Sequence, residues 1–549
     1  MNSLAIAGIS IFCLVLAYHF YGRYLEKLWG IDSSRKTPAL TKTDGVDYVP
    51  AKHWTILFGH HFASIAGAGP ILGPVLAAVM WGWLPALCWI VLGSIFLGGV
   101  HDFSALILSV RQSGNSMGEV TDKVLGHRSK TLFSLFLWLA LILVVAVFAA
   151  ITAKTFLEEP RIVIPTFGLV GIAFLFGLLV HRLHFSQVSA TLISLLLLVI
   201  TFIVGYKWPV HIPGSNALSI WIGILILYAF LASVLPVHLL LQPRDYLASY
   251  LLFAGLFFGY LGLIISRPAV QTPTYISFSS SQGPLLPMMF VIIACGAISG
   301  FHSLVSSGTS SKQIASELDT KRIGYGAMLT EGAVAILALL TVVAGLTWNA
   351  PNSALNYPEL MRSGNVIGTF ARGFGQITGP VWGTTAGVLV ATVMINGFVL
   401  TTLDTATRIA RYVSQELFGQ DWQVQIMRHR YGATGVIVVL AGALALGNWQ
   451  KIWPVFGASN QLISALVLLV AGCFLLSRGK NSRIVLIPAA FMFVTTVWAL
   501  VLQARLFYSK KGLLLGNTSV VLIVLSLFVL WEALKKIQQV KRKDYYEKI

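Results

Sequence analysis

Five titratable side chains stand in stretches that are otherwise apolar: His60 and His61 in "GHHFASIAGAGPILGP" (59–74), Asp102 in "GGVHDF", His302 in "SGFHSL" and Glu331 in "LTEG". Imidazoles and carboxylates exchange protons near neutral pH when their surroundings are tuned, and both ligate metals. A carboxylate withdrawn from water binds its proton more tightly, whereas a nearby cation weakens that hold. Ionisable groups within a membrane are costly and usually pair or line an ion route. Some of His61, Asp102, His302 and Glu331 are therefore expected to carry or gate a proton. Two other readings stay open: separate hydrogen bonds that hold helices together, and a metal site with His61, His302, Asp102 and Glu331 as ligands. His60 and His61 are adjacent, so one regular helical face cannot turn both toward one metal.

The elements that must hold these groups are transmembrane helices. The chain has 549 residues, 56% of them hydrophobic and 11% charged, with a mean hydropathy of +0.79. A soluble domain could not hide that much apolar surface. The expected class is an all-α polytopic membrane protein with about fifteen spans: 2–22, 56–80, 84–108, 132–153, 162–180, 188–206, 218–241, 247–266, 285–307, 325–347, 380–402, 433–447, 453–476, 484–504 and 513–534. With the N-terminus outside and the C-terminus in the cytoplasm, 28 of the 38 Lys and Arg residues fall in inside segments, as the positive-inside rule asks. The formal net charge of +18 is read as basic loops anchoring cytoplasmic ends, with no nucleic-acid partner. Cys13, Cys88, Cys295 and Cys473 lie in apolar runs and are read as packing residues. The segment 366–378 is expected as a short outer helix, and 403–419 as an amphipathic helix on the inner surface. Asp404 and Arg408 are read as a surface ion pair at i and i+4, and Asn396, Asn460 and Gln461 as interhelical hydrogen-bonding groups.

Helix breakers point to where a substrate sits. Gly67, Gly69, Pro70, Gly73 and Pro74 fall within one span, and "LASVLPVHLLLQPRDY" (231–246) puts Pro236 in a second span of opposite direction. Unwound backbone at membrane depth persists where it is buried in protein or lines a polar cavity. A tight helix crossing with small residues at the contact is the competing reading. Broken helices at matching positions of two oppositely oriented blocks mark an inverted-repeat secondary transporter. The chain then divides into 1–55, an N-terminal span and basic loop; 56–206, the first repeat; 207–432, the second repeat with its cytoplasmic linker; and 433–549, extra C-terminal spans and a basic tail.

Six blocks in order carry a resemblance: "DGVDYVPAKHWTILFGHHFASIAGAGPILGPVLAA", "HDFSALILSVRQSGNSMGEV", "LASVLPVHLLLQPRDYL", "GAISGFHSLVSSGTSSKQI", "TKRIGYGAMLTEG" and "VFGASNQLISAL". The chain resembles the carbon starvation protein A family from about residue 2 to about residue 500. That resemblance implies a cytoplasmic-membrane importer of bacteria or archaea, induced when carbon is scarce. Family members have been assigned proton-coupled pyruvate uptake and uptake of small peptides. It also implies the five-plus-five inverted-repeat fold of the amino acid–polyamine–cation superfamily, like that of the leucine transporter. In that superfamily the eighth core helix lends hydroxyls to a sodium site. Taking the span 285–307 as that helix, Ser306, Ser307 and Thr309 would hold a cation with carbonyls near Ser64 and Gly67, unless they pack and bond back to their own helix.

In each broken span the second half offers N–H groups and a positive dipole end near mid-membrane, which suits a carboxylate. The expected substrate-binding residues are Gly67, Ala68, Gly69 and Pro70, with the N–H groups of Ile71 and Leu72, and Pro236, Val237 and His238. No Lys or Arg is expected at mid-depth, nor a carboxylate near the breaks to hold a peptide ammonium, which favours pyruvate over peptides. Proton coupling is expected, with sodium as the alternative. No organic cofactor is implied. The partners are a small-molecule substrate and membrane lipid, and no oligomeric state is assigned. An enzyme is disfavoured because HExxH, GxSxG and the P-loop lysine are missing. A starvation sensor would need a signalling domain that the sequence does not contain.

Overall fold

The computed structural model describes the chain except residues 1, 46, 238, 351–352, 448 and 547–549. Helix α1 (Ser3–Trp29) is capped by Asn2, whose side chain accepts from the Leu4 N–H, and ends at Gly30 with φ 63°, a left-handed stop that suits glycine. Next come α2 (Trp54–Ile65) and α3 (Gly69–Trp81), bent by 43° across a short break. Pro70 lies in the first turn of α3, where its missing N–H has no partner to lose. Then follow α4 (Trp83–Arg111), the short α5 (Met117–Leu125), α6 (His127–Glu158), α7 (Pro160–Val180), α8 (Gln187–Lys207), α9 (Ala217–Val234) and α10 (Leu241–Ser266). A small hairpin pairs Ser279–Ser280 with Gly283–Pro284. It leads into α11 (Leu285–Ile292), α12 (Gly300–Gly308), α13 (Lys321–Gly345) and α14 (Val366–Trp382). The chain finishes with α15 (Thr384–Asp421), α16 (Arg430–Ala445), α17 (Val455–Ser477), α18 (Arg483–Ser509) and α19 (Leu513–Gln539).

Twelve of these helices are long and apolar enough to cross a membrane, thirteen if α2 and α3 form one bent span. Of the other expected spans, 285–307 is interrupted between α11 and α12, and 433–447 becomes the 16-residue α16. Large apolar side chains such as Ile9, Phe12, Val188, Leu192, Ile487 and Leu514 stand exposed on peripheral helices, an outer face suited to lipid. Helices α4, α6, α13, α15 and α17 hold much of the buried core.

Two expectations are corrected. Pro236 does not break a span: it lies in 235–240, between α9 and α10, each able to span alone. Leu235 before it is extended, with φ −73° and ψ 151°, as a residue preceding proline prefers. The second interruption within an apolar span is instead 293–299. The stretch 403–419 is no surface helix either; α15 runs on through it, with Leu403, Asp404, Ala406, Arg408 and Ile409 buried. The segment 366–378 does form a helix, as part of α14, with Asn365 capping the Gly368 N–H.

Candidate functional site

The two interruptions face each other at their closest approach. A β-carbon built on Gly69 would lie 2.5 Å from both Cβ and Sγ of Cys295, and one on Gly73 would lie 2.6 Å from the Ile292 carbonyl. From the other side, a β-carbon on Gly296 would lie 3.5 Å from Pro70 Cα and 2.8 Å from Ala335 Cβ. Only glycine lets the segments come this near. Gly67 sits under the Phe148 ring of α6, 2.9 Å from a would-be β-carbon, and beside Thr402. Asn460 of α17 braces the second break: its amide donates to Ser299 Oγ at 2.9 Å, and its oxygen accepts the Phe301 N–H at 2.7 Å. Helices α3 and α12 both start at these breaks, so each break receives one positive helix end. The Ile71 and Leu72 N–H groups are taken by the Ala68 carbonyl at 3.1 and 2.9 Å, which leaves Ala68 and Gly69 as the first-turn donors. Val237 lies with Pro236 at the α9–α10 connection, its carbonyl accepting the Gln242 N–H at 3.0 Å. His238 is outside the described residues. A cavity of about 640 Å³ lies against Leu72 of α3 and Ile292 of α11, and it is also lined by Trp348, Arg362 and Trp453.

Beside the breaks lies a fully buried cluster of ionisable groups. Asp102 of α4 bridges two imidazoles: Oδ1 is 2.7 Å from His101 Nδ1 and Oδ2 is 2.7 Å from His302 Nδ1. The other nitrogen of His302, on α12, lies 3.1 Å from Glu331 Oε2 on α13. All four side chains are inaccessible to solvent. Sequence reasoning named Asp102, His302 and Glu331 and missed His101, although it adjoins Asp102. Each carboxylate follows a widened helical turn, Ser94–Gly98 in α4 and Lys321–Gly326 in α13, a form frequent at functional sites. The two helices touch through glycines there: a β-carbon on Gly99 would overlap the Tyr325 ring, and one on Gly324 would lie 3.0 Å from Phe103 Cα. Glu331 is one helical turn from Ala335, which touches Gly296 in the second break. A carboxylate therefore does stand near the breaks, contrary to expectation, with His302 Nε2 within ion-pair distance of it. His61 joins this group through no hydrogen bond; its Nδ1 meets Ser310 Oγ at 2.7 Å.

A second buried network was misread in the sequence. His60 Nδ1 lies 2.8 Å from Asp245 Oδ2, which also accepts from Ser64 Oγ at 3.2 Å. Arg244, which falls between the expected spans 218–241 and 247–266, is buried in the first turn of α10 and is bonded to Asp404. Tyr228 donates to the same carboxylate at 2.8 Å. Arg408 donates to the Ala232 and Leu235 carbonyls and lies 3.6 Å from Asp47. Asp404 and Arg408 are thus no surface pair; each has its own buried partners, because α15 does not leave the protein there. Asn396 bonds Thr166 at 2.6 Å and Thr155 at 3.0 Å, and Gln461 donates to the Phe290 carbonyl, both interhelical contacts.

Two of the three hydroxyls expected to hold a cation are engaged within their own segment: Ser307 donates to Ser303 O at 2.8 Å and Thr309 to Val305 O at 2.9 Å. Ser306 Oγ is buried with no hydrogen-bond partner among the described residues. The carbonyls of Ala63 and Ser64 instead receive Thr401 and Thr402 of α15. Among the described residues, no group of three or more His, Cys, Asp or Glu side chains is arranged to hold a metal ion. His61, His302, Asp102 and Glu331 therefore do not form a metal cradle in this structure.

Comparison with known proteins places this arrangement. The sequence pattern of the family described as carbon starvation protein CstA matches residues 2–358 and 349–499. The peptide transporter CstA of Campylobacter jejuni is 32% identical over 570 residues, covering 90% of this chain and 79% of its own. The pyruvate/proton symporter BtsT of Escherichia coli is 32% identical over 590 residues, covering 91% and 81%. The Bacillus subtilis peptide transporter CstA, 31% identical, covers 98% of this chain and 97% of its own. Among solved structures, the Eremococcus coleocola manganese transporter superposes with a TM-score of 0.53 at 13% identity over 91% of this chain and 99% of its own, a likeness of fold. The bundle of apolar helices and the transporter relatives make this a multi-pass membrane protein, and the chain belongs to the carbon starvation protein CstA family.

Proposed function

We propose that the protein is a secondary active importer of pyruvate, driven by protons and used under carbon starvation. The observation that carries this reading is the cluster of Asp102, His302 and Glu331 beside the two facing breaks. Two carboxylates share one imidazole there. With His302 charged the three groups carry a net −1, so one further proton neutralises them in a dry site, where an unbalanced charge is expensive. A bound proton and a bound carboxylate can then support each other across one helical turn. The positive ends of α3 and α12 would receive the substrate carboxylate at Gly67, Ala68, Gly69 and Pro70, and Arg362 gives the cavity over α3 a charge of the right sign. Pro236 and Val237 lie at the connection between α9 and α10, and His238 is outside the described residues. The breaks at 66–68 and 293–299 serve as the paired interruptions of an inverted-repeat core. The N-terminus lies outside and the C-terminus in the cytoplasm. Small peptides are the second reading, favoured by the CstA relatives' names and by the nearness of Glu331 to the second break. Uptake of labelled pyruvate and of labelled dipeptides into cells lacking their own importers tests the choice. Accumulation of pyruvate alone supports this reading, and accumulation of the dipeptide alone overturns it.

A further inference from the structure

Helices α1, α4 and α17 finish around a polar cavity of about 510 Å³ that is separate from the breaks. Trp29, Arg35, Arg111, Phe474, Arg478 and Lys480 line it. Arg111 is firmly placed: it donates to the Trp29 and Gly30 carbonyls at 2.7 and 2.8 Å and meets both oxygens of Glu317 at 3.1 and 3.2 Å. Arg35 reaches the same carboxylate at 3.6 Å and Asp32 at 3.9 Å. Lys480 donates to the Leu28 carbonyl at 2.8 Å. Arg478 lies over the Phe474 ring, 5.3 Å from its centre, with no carboxylate within ion-pair reach among the described residues. Four cations thus face two carboxylates, Asp32 and Glu317, a formal excess of two positive charges. The strain shows at Lys480, whose amine is held below the usual lysine range by burial and by Arg111, Arg35 and Arg478. Excess like charge in a pocket is relieved by an anion of matching charge. A phosphate monoester carries about −1.5 to −2 at pH 7, and guanidinium forks match its oxygens in pairs.

We propose that this cavity is a binding site for a phosphate-type anion, held by Arg35, Arg111, Arg478 and Lys480, that ties the end of α17 to the ends of α1 and α4. The same chemistry is offered by a soluble phosphate and by an anionic lipid headgroup, and the test separates them. In the first arm, the full chain in neutral detergent is titrated with inorganic phosphate at constant ionic strength, and its thermal midpoint is followed. The expected result is a saturable rise. In R478Q/K480Q the half-effect moves up at least roughly tenfold, with pyruvate uptake in phosphate-free buffer unchanged. The charge-preserving R478K/K480R keeps the response, which separates loss of charge from misfolding. In the second arm, protein is extracted from phosphatidylcholine vesicles with or without phosphatidylglycerol, and retained lipid is counted by native mass spectrometry. Retention of phosphatidylglycerol that is lost in R478Q/K480Q, with inorganic phosphate inert, assigns the site to a headgroup. The proposal is overturned if the wild type responds to neither probe, or if the response survives unchanged in R478Q/K480Q.

Discussion

Replacing Gly69 by alanine tests the close approach of the two breaks. The added β-carbon would lie 2.5 Å from Cβ and Sγ of Cys295, well inside the ~3.5–4.0 Å at which such atoms normally rest. The Cys295 sulfur could swing aside, but its Cβ is fixed to the backbone, so the segments must separate. Overpacking of this kind costs about 1–3 kcal/mol. Gly69→Ala should lower the thermal midpoint of the purified protein and cut uptake severely while expression persists. Cys295→Gly removes both clashing atoms, so Gly69→Ala combined with Cys295→Gly should regain most of the stability. Cys295→Ala keeps the β-carbon and should rescue poorly. The measurements are a thermal unfolding curve in detergent and initial rates of labelled uptake for each variant. Gly69→Ala with wild-type stability and uptake, or full rescue by Cys295→Ala, would refute the argument that backbone proximity here requires glycine.

Gly67→Leu should abolish uptake with expression intact, because even its β-carbon would press on the Phe148 ring at 2.9 Å; normal uptake would mean that the glycine has no part in the site. Arg244→Gln leaves Asp404 buried with one partner, Tyr228, and should destabilise by about 3–5 kcal/mol, whereas the pair Arg244→Gln with Asp404→Asn should recover a large part of that loss in the same unfolding assay. A C-terminal reporter should be cytoplasmic and an N-terminal tag external; finding both on one side would contradict the proposed orientation.

Composition and charge alternation made the helical membrane class legible, and the glycines and prolines of residues 67–74 marked the first break, because each acts through its own backbone. The second break was not legible in the same way. Residues 293–299 contain no proline, and their unwinding depends on contacts made elsewhere, with Asn460 taking the Phe301 N–H and Gly69 admitting Cys295. Pro236 misled because proline also marks ordinary helix ends. The cluster of Asp102, His302 and Glu331 could be anticipated from rare ionisable residues in apolar runs at matching depth. His101 could have been found in the same way. The His60–Asp245 and Arg244–Asp404 pairs were hidden because Arg244 and Asp404 sit near expected span ends, where charge normally meets water. Only the packing of α10 against α2 and α15 shows them buried.

Concentrative uptake in proteoliposomes tests proton-driven import of pyruvate most directly. An outside-acid gradient without sodium should accumulate labelled pyruvate above its external concentration, and a protonophore should release it. Glu331→Gln and Asp102→Asn remove a titrating group while nearly keeping its shape. Both should lose that accumulation yet still exchange labelled for unlabelled pyruvate. Unchanged uphill accumulation and an unchanged pH profile in both variants would contradict the assignment of the proton to this cluster, and accumulation driven by sodium alone would contradict proton coupling altogether.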